Sequence, residues 1–326
     1  MNLAGASVWG RVLTWLDHEA DADAYARLRR SPLATDVTER LCTFFERERL
    51  QADKAEAAFA RVAHRIRASR ILFVPAVLSG IALKASRVRL VEYLTHQVRQ
   101  LKDEGFAAEI ADVDTGASVA ENGERLARIL AEHHCPTWIV SHSKGGLDTL
   151  EALVAHPEVA RFVDGWIAFQ APFQGSPLAD VASGSGRARK ISRMALRLLG
   201  ADLQAIVDLR TDRRGHYMDR HAARIAEIVR DVPILCVGTV AGTKAMWPSA
   251  RWPTARWMEG FGLKSDGMVP VNSTILPGAR FVGLRGLGHG EVATHHVFSR
   301  HRFEHVDLLK ALFALMLTQN QSVAAA

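Results

Sequence analysis

A sharp change from strand to helix at residues 136–147 limits this chain to few architectures. Residues 138–140 form a short apolar run with the length and composition of a buried strand. Leu147, Leu150 and Leu153 follow it at helical spacing. The backbone must therefore turn from strand to helix within a few residues. Such connections are typical of sheets in which parallel strands alternate with helices.

Ser143 lies in this turn, between Ser141 and Gly145. A residue at such a corner is strained, its side chain is lifted out of the sheet, and only small residues fit beside it. The start of the next helix favours negative charge at the same point. This describes a nucleophile elbow, whose usual pattern G-x-S-x-G has a serine at its first position here. Of the two serines, only Ser143 has a glycine two residues on, so we predict that it is the nucleophile; a turn that only needs tight packing is the alternative.

Strands and helices alternate along the rest of the chain. Strands are predicted at 71–74, 107–113, 138–140, 164–169, 233–238 and 279–284, and further helices at 90–101, 120–133, 217–229 and 303–317. This order predicts an α/β fold with a doubly wound, mostly parallel sheet joined by right-handed crossovers. Ligands bind at the carboxyl ends of the strands in such sheets, where both Pro75 and Ser143 lie.

Composition divides the chain into four predicted segments. They are an N-terminal helical extension at 1–68, a first part of the core at 69–184, a helical cap insertion at 185–231, and a second part of the core at 232–326. The extension carries no chemical motif, so it either covers the core or binds a partner. The cap begins with a basic amphipathic helix at 187–199, whose charged face is either solvated or meets anionic lipid at a membrane surface or an acidic substrate.

Three tryptophans occur in a proline- and arginine-containing stretch before the last predicted strand. They are Trp247, Trp252 and Trp257. Large apolar side chains at this end of a sheet predict a substrate-binding wall. A structural plug packed on the cap is the alternative interpretation.

A serine hydroxyl needs a base that takes its proton and a third group that holds the base. The chain has fourteen histidines, and His289 is the candidate base because it lies just past the last predicted strand in a glycine-bracketed loop. His142 adjoins the serine, but neighbouring strand residues point to opposite faces, which predicts a core or supporting role. Asp266, in a turn before the last strand, is the candidate orienting acid; the alternative is a turn-forming residue. Along the chain the three residues follow the order serine, aspartate, histidine, which is the order found in folds whose nucleophile lies at a strand-to-helix turn.

Two N–H donors are needed where charge develops on the carbonyl oxygen of an ester. The N–H of Lys144, first in the new helix, is one candidate. The other is expected from the loop after the first predicted strand, at Ala76 or Val77. The residues leave these two alternatives open.

Four segments together resemble the lipase-like serine esterase branch of the α/β-hydrolase superfamily. They are residues 140–146, 171–177, 265–270 and 288–289. The resemblance covers residues 69–184 and 232–317, and Ala171 stands where that branch commonly has threonine. It implies ester hydrolysis through an acyl-enzyme on Ser143, with Asp266 and His289 completing a triad and no cofactor. We recognise no lipase-type set of metal ligands, and the resemblance leaves the substrate open.

Composition restricts the remaining function classes. The 326 residues are 48% hydrophobic and 23% charged, which is enough for a sizeable core. The net charge of +6 is spread along the chain without a nucleic-acid-binding motif, so we expect no nucleic acid partner. Three distant cysteines are expected to be free thiols. No signal peptide or membrane span is recognised, which predicts a cytoplasmic protein; the oligomeric state stays open.

The leading functional hypothesis is a cofactor-independent hydrolase of carboxylic esters. A capped, tryptophan-lined site favours an apolar acyl group, from a lipid-like or aliphatic polyester substrate. The same triad could transfer the acyl group to an alcohol or thiol instead. A non-catalytic binding protein that retains the fold is the alternative from another class.

Overall fold

The computed structural model describes residues 25–46, 49–76, 91–184, 203–241, 252–296 and 305–318. The strands of these ranges are β1 (Thr35–Asp36), β2 (Phe45–Glu46), β3 (Arg49–Leu50), β4 (Arg70–Val74), β5 (Val91–Tyr93), β6 (Ala107–Ile110), β7 (Thr137–His142), β8 (Val163–Phe169), β9 (Ile234–Val240), β10 (Arg280–Arg285) and β11 (Thr294–His296). The α-helices are α1 (Ala26–Arg29), α2 (Thr38–Cys42), α3 (Ala52–Ala60), α4 (Ala63–Arg67), α5 (Thr95–Asp103), α6 (Val119–His133), α7 (Lys144–Ala155), α8 (Pro177–Ser183), α9 (Gln204–Val207), α10 (Thr211–Arg220), α11 (Ala222–Asp231), α12 (Trp252–Gly260) and α13 (His305–Leu317).

Seven strands form one sheet in the order β1-β10-β9-β8-β7-β4-β6. All of its neighbouring pairs are parallel. The predicted doubly wound parallel sheet is thereby confirmed. Its inner strands are buried along nearly their whole length, as expected where helices cover both faces. Parallel pairing places the end of β7, where Ser143 follows, beside the ends of β4 and β8.

The sheet separates two hydrophobic cores, and alternate residues of one strand enter different cores. Phe73 of β4 belongs to a core that contains Phe313 of α13. Its neighbour Leu72 belongs to the core that contains Leu147 of α7. The helix that follows Ser143 is therefore held by the same layer that buries the sheet, so the start of that helix is fixed relative to the strand ends.

The N-terminal segment contains strands as well as helices. β1 pairs with the edge strand β10, with Thr35 opposite Arg280. Helix α3 packs on α13, where the rings of Phe59 and Phe313 lie 6.2 Å apart. The described part of this segment, which patterning predicts to be helical, thus extends the sheet and covers one core. Residues 1–24 of the predicted extension lie outside the described residues.

Two other predicted helices have different boundaries in the structure. The helix expected at 90–101 begins at Thr95, because the preceding residues pair with β11 as strand β5. The single helix expected at 217–229 is split at His221 into α10 and α11. Ile225 and Ile228 of α11 lie in one of the two cores of the sheet, so this helix packs against the sheet. The predicted basic helix at 187–199 lies outside the described residues.

Among the helices that the structure describes, none has both the length and the apolar character needed to cross a membrane.

Candidate active site

Ser143 occupies the corner between β7 and α7 in a strained conformation. Its φ of 55° and ψ of −124° lie where residues other than glycine are rarely found. Gly145 explains how the corner can be so tight. A Cβ at this position would lie 2.4 Å from the carbonyl oxygen of Val74 and 2.6 Å from that of Pro75. Only glycine therefore lets the start of α7 approach the end of β4 this closely.

The structure brings Ser143, His289 and Asp266 together in one chain of hydrogen bonds. His289 Nε2 lies 3.0 Å from Ser143 Oγ, and His289 Nδ1 lies 2.8 Å from Asp266 Oδ2. The aspartate is fully buried and the histidine is largely buried. These three side chains come from the turn after β7, the turn before β10 and the loop after β10, which all lie at the carboxyl edge of the sheet.

Backbone groups hold the aspartate in place. Asp266 Oδ1 accepts the N–H groups of Met268 at 2.9 Å and Val269 at 2.8 Å. The carbonyl oxygen of Asp266 accepts the N–H of His289 at 2.9 Å. Because Oδ2 is an acceptor, the proton between the two side chains belongs on His289 Nδ1, which leaves Nε2 free to accept the Ser143 proton.

The two sides of the expected oxyanion site differ in what the structure describes. Lys144 begins α7, so its N–H is one of the helix-terminal donors that lack a partner within the helix. The N–H of Ala76 donates to the hydroxyl oxygen of Tyr93 at 2.7 Å. Val77, the other predicted donor, lies outside the described residues.

His142 is buried, as expected for a core residue, and it lies beside His289. Its Nδ1 lies 3.0 Å from the Tyr93 hydroxyl and its Nε2 lies 3.1 Å from Gln170 Oε1. Burial lowers the pKa of His142 to about 3, and the nearby imidazole of His289 acts in the same direction. The ring centroids of the two histidines are 5.1 Å apart. His142 is therefore neutral at physiological pH.

Gln170 and Tyr93 belong to this site but are missed by sequence reasoning. Gln170 directly follows β8, is fully buried, and has a left-handed φ of 51°. A polar residue at the end of an apolar strand, just before the 171–177 motif, is the signal that could have identified it. Tyr93 reaches the site through strand β5, whose pairing with β11 leaves no comparable signal in the sequence.

The side chain of Lys144 is also buried, and the sequence pattern, which points to its N–H, does not indicate this. Its Nζ donates to Asp148 Oδ1 at 2.7 Å, one helical turn on. Asn122 Nδ2 donates to Asp148 Oδ2 at 2.9 Å. Burial raises the pKa of Asp148 to about 6, against the opposite effect of Lys144 and Asn122.

The three tryptophans predicted to line the substrate site are only partly described. Trp247 and the side chain of Trp252 lie outside the described residues. Trp257 is buried, and its ring centroid lies 5.3 Å from that of Phe261 and 6.3 Å from that of Tyr25. It belongs to a hydrophobic cluster that attaches α1 to α12. Trp257 therefore has a packing role in the described residues, and its described partners lie outside the segment 185–231 that was expected to form a cap.

Within the described ranges, no three side chains of histidine, cysteine, aspartate or glutamate are placed so that they could hold a metal ion.

The sequence matches no protein-family model and no curated protein. Similar solved structures include a metagenomic carboxyl esterase, with a TM-score of 0.61, 19% identity, and coverage of 77% of this chain and 76% of that chain. The mature form of a Bacillus licheniformis lipase has a TM-score of 0.53 and 22% identity, and the match covers 69% of this chain and 86% of that chain. A Staphylococcus hyicus lipase has a TM-score of 0.52 and 11% identity, and the match covers 78% of this chain and 97% of that chain.

At sequence identities this low, a structural match shows a shared fold. These matches therefore confirm the predicted resemblance as far as the fold is concerned. The parallel sheet, the order of its strands and the esterase and lipase neighbours agree with one another. The chain has the α/β-hydrolase fold.

Proposed function

We propose that this protein is a serine hydrolase that cleaves carboxylic esters through an acyl-enzyme on Ser143. The observation that carries the proposal is the chain of hydrogen bonds from Ser143 Oγ through His289 to Asp266, built at a strained strand-to-helix corner. The fold supports it, because esterases and lipases are among the similar structures.

In the proposed reaction, Ser143 Oγ attacks the ester carbonyl carbon while its proton passes to His289 Nε2. Asp266 stabilises the imidazolium that forms and keeps the ring oriented. The tetrahedral intermediate collapses as His289 gives the proton to the leaving alkoxide, which departs as the alcohol. A water molecule then attacks the acyl-enzyme with His289 again as base, and the acid is released as Ser143 regains its proton.

The oxyanion of the intermediate would be held by two N–H groups, one of them from Lys144. The second donor is assigned to Val77 in preference to Ala76, since the N–H of Ala76 already donates to Tyr93. Loss of one such donor typically lowers kcat about 10²- to 10³-fold.

An apolar acyl group, from a lipid-like or aliphatic polyester substrate, belongs to the proposal. Two of the similar structures are those of lipases, which supports it. Trp257 gives no support, because it packs against Tyr25 and Phe261.

The location in the cytoplasm and contact of the basic segment 187–199 with a membrane surface also stay predictions.

The test combines hydrolysis of p-nitrophenyl butyrate with fluorophosphonate labelling of the full chain. We expect turnover and labelling in the wild type, neither in Ser143→Ala, and a kcat lowered about 10⁴-fold in Asp266→Asn. Ser141→Ala is the matched control, because it removes the other serine of the corner and should still be labelled. Labelling that persists in Ser143→Ala would contradict the proposal. A folded wild type that turns over no ester would favour a binding protein, and a new ester as the main product with added alcohol would favour an acyltransferase.

A further inference from the structure

The buried side-chain amide of Gln170 contacts both glycines that flank His289. Its Nε2 donates to the carbonyl oxygen of Gly288 at 3.1 Å, and its Oε1 accepts the N–H of Gly290 at 2.9 Å. The same Oε1 lies 3.1 Å from His142 Nε2, and Nε2 also donates to Thr239 Oγ1. One amide thus joins the ends of β7, β8 and β9 to the loop that carries His289.

These partners determine which way each proton points. A carbonyl oxygen can only accept and a backbone N–H can only donate, so Gly288 and Gly290 fix the orientation of the Gln170 amide. Oε1 is then an acceptor, and His142 Nε2 must carry the proton. His142 Nδ1 is left as an acceptor for the Tyr93 hydroxyl, whose oxygen in turn accepts the N–H of Ala76.

We propose that Gln170 is a positioning residue for His289, which it holds through Gly288 and Gly290, and that neutral His142 and Tyr93 extend this support to the backbone at Ala76. This inference rests on the proposed function. Both neighbours of His289 are glycines with no side chain to pack, so the Gln170 amide adds two contacts to the loop besides those that Asp266 makes with the imidazole and the backbone N–H of His289. The antiparallel pairing of Tyr93 with Thr294 joins the two ends of the network a second time through the backbone.

The neutral state of His142 serves the reaction as well as the network. His289 must become an imidazolium when it takes the serine proton, and the His142 ring lies 5.1 Å from it. A positive charge on His142 would oppose that step. Among the described residues, the titratable groups that face His142 are the phenol of Tyr93 and the imidazole of His289, and neither supplies a negative charge at neutral pH that would favour a charged His142.

The first test is Gln170→Leu, which keeps similar volume and removes every hydrogen bond of the amide. Because a misplaced catalytic group commonly costs about 10²-fold in rate, we expect kcat for p-nitrophenyl butyrate to fall about 10- to 100-fold, with KM within about twofold of the wild type. Gln174→Leu is the matched control. It is another buried glutamine, and its Oε1 accepts from Arg27 instead of the catalytic loop. An unchanged kcat in Gln170→Leu, or an equal loss in both variants, would overturn the positioning role.

The second test does not depend on catalysis or on the folding of a variant at position 170. Long-range ¹H–¹⁵N spectra of the histidine-labelled wild type should show His142 neutral, with its proton on Nε2, from pH 8 to pH 5. His142→Asn identifies the resonance. A proton on Nδ1, or a charged ring in this range, would overturn the network. An inactive wild type would overturn the proposed function, whereas an active wild type with a fully active Gln170→Leu would overturn the positioning role alone.

Discussion

The two chain neighbours of Ser143 are both buried, but they are held in different charge states. His142 on the strand side is 3% exposed, and Lys144 on the helix side is 1% exposed. The described hydrogen-bond partners of His142 are a hydroxyl and an amide, both uncharged. Lys144 instead pairs with the carboxylate of Asp148.

The difference shows that burial alone does not decide the charge of a side chain beside a nucleophile. Removal from water disfavours the charged form of both residues. A carboxylate one helical turn away pairs with Lys144, whereas the partners of His142 in the described part of the chain are uncharged, so the histidine stays neutral. The strand side of the corner therefore depends on correctly oriented hydrogen bonds, and the helix side depends on an ion pair. Substitutions on the two sides should therefore lower the free energy of unfolding by different amounts and change its pH dependence in different directions.

Lys144→Met is expected to destabilise the protein more than any other change at this corner. Methionine keeps the apolar stem and the backbone N–H but leaves Asp148 as a buried carboxylate without its cation. We expect the free energy of unfolding to fall by about 3–5 kcal/mol at pH 7.5, measured by urea unfolding. Lys310→Met is the control, since the Glu56 and Glu104 partners of this buried lysine are substantially exposed. Its loss should be clearly smaller, and a Lys144→Met loss below about 1 kcal/mol would show that the ion pair is dispensable.

His142→Asn is the matching change on the strand side, with a smaller expected effect. Asparagine can still accept from Tyr93 but no longer donates to Gln170, so we expect a loss of about 1–3 kcal/mol at pH 7.5. The pKa of His142 is about 3 in the folded chain, against about 6.5 unfolded. Its contribution to stability is complete above about pH 6.5 and declines as the pH falls toward 3. The difference in the free energy of unfolding between variant and wild type should therefore become smaller from pH 7.5 to pH 5. A difference that stays constant would mean that His142 is not held neutral.

Replacing both members of the ion pair has the smallest expected effect. Lys144→Met with Asp148→Asn should lie within about 1 kcal/mol of the wild type at pH 7.5, because a buried pair gains little beyond its desolvation cost. Asp148 has its pKa raised to about 6, so its contribution is complete below about pH 3.9 and is lost as the pH rises through 6. Without it, stability should fall more steeply from pH 6 to pH 4 than in the wild type. This change of slope is opposite to that of His142→Asn, and slopes that change alike would contradict the comparison.

Much of the site could be predicted because its signals are local. A glycine two residues after Ser143, a turn around Asp266 and glycines on both sides of His289 each mark a backbone geometry in the sequence itself. Strand alternation also indicated a buried His142. Six of the seven strands of the sheet were predicted for the same reason, since each contains a short apolar run, whereas β1, with the sequence Thr35–Asp36, has no such run and was not predicted.

The missed features depend on contacts between distant segments. Strand β5 owes its existence to pairing with β11, and neither has a strong pattern alone. Gln170 and Tyr93 acquire meaning only when the ends of several strands are brought together. Trp257 was assigned to the substrate site from composition, but its ring packs in one cluster with Tyr25 and Phe261, and only Phe261 is near it in sequence.

The pairing of β1 with β10 has a consequence for how the chain folds during synthesis. Thr38, just after β1, accepts a hydrogen bond from the N–H of Gly283 in β10, across 245 residues of chain. The N-terminal strand leaves the ribosome long before its partner is made. Contacts of such large sequence separation form late, because the entropy of closing the loop must be met first. The edge at which β1 and β10 pair therefore cannot close until β10 has been translated, and an unpaired strand edge of this kind is open to wrong pairing and aggregation in that interval.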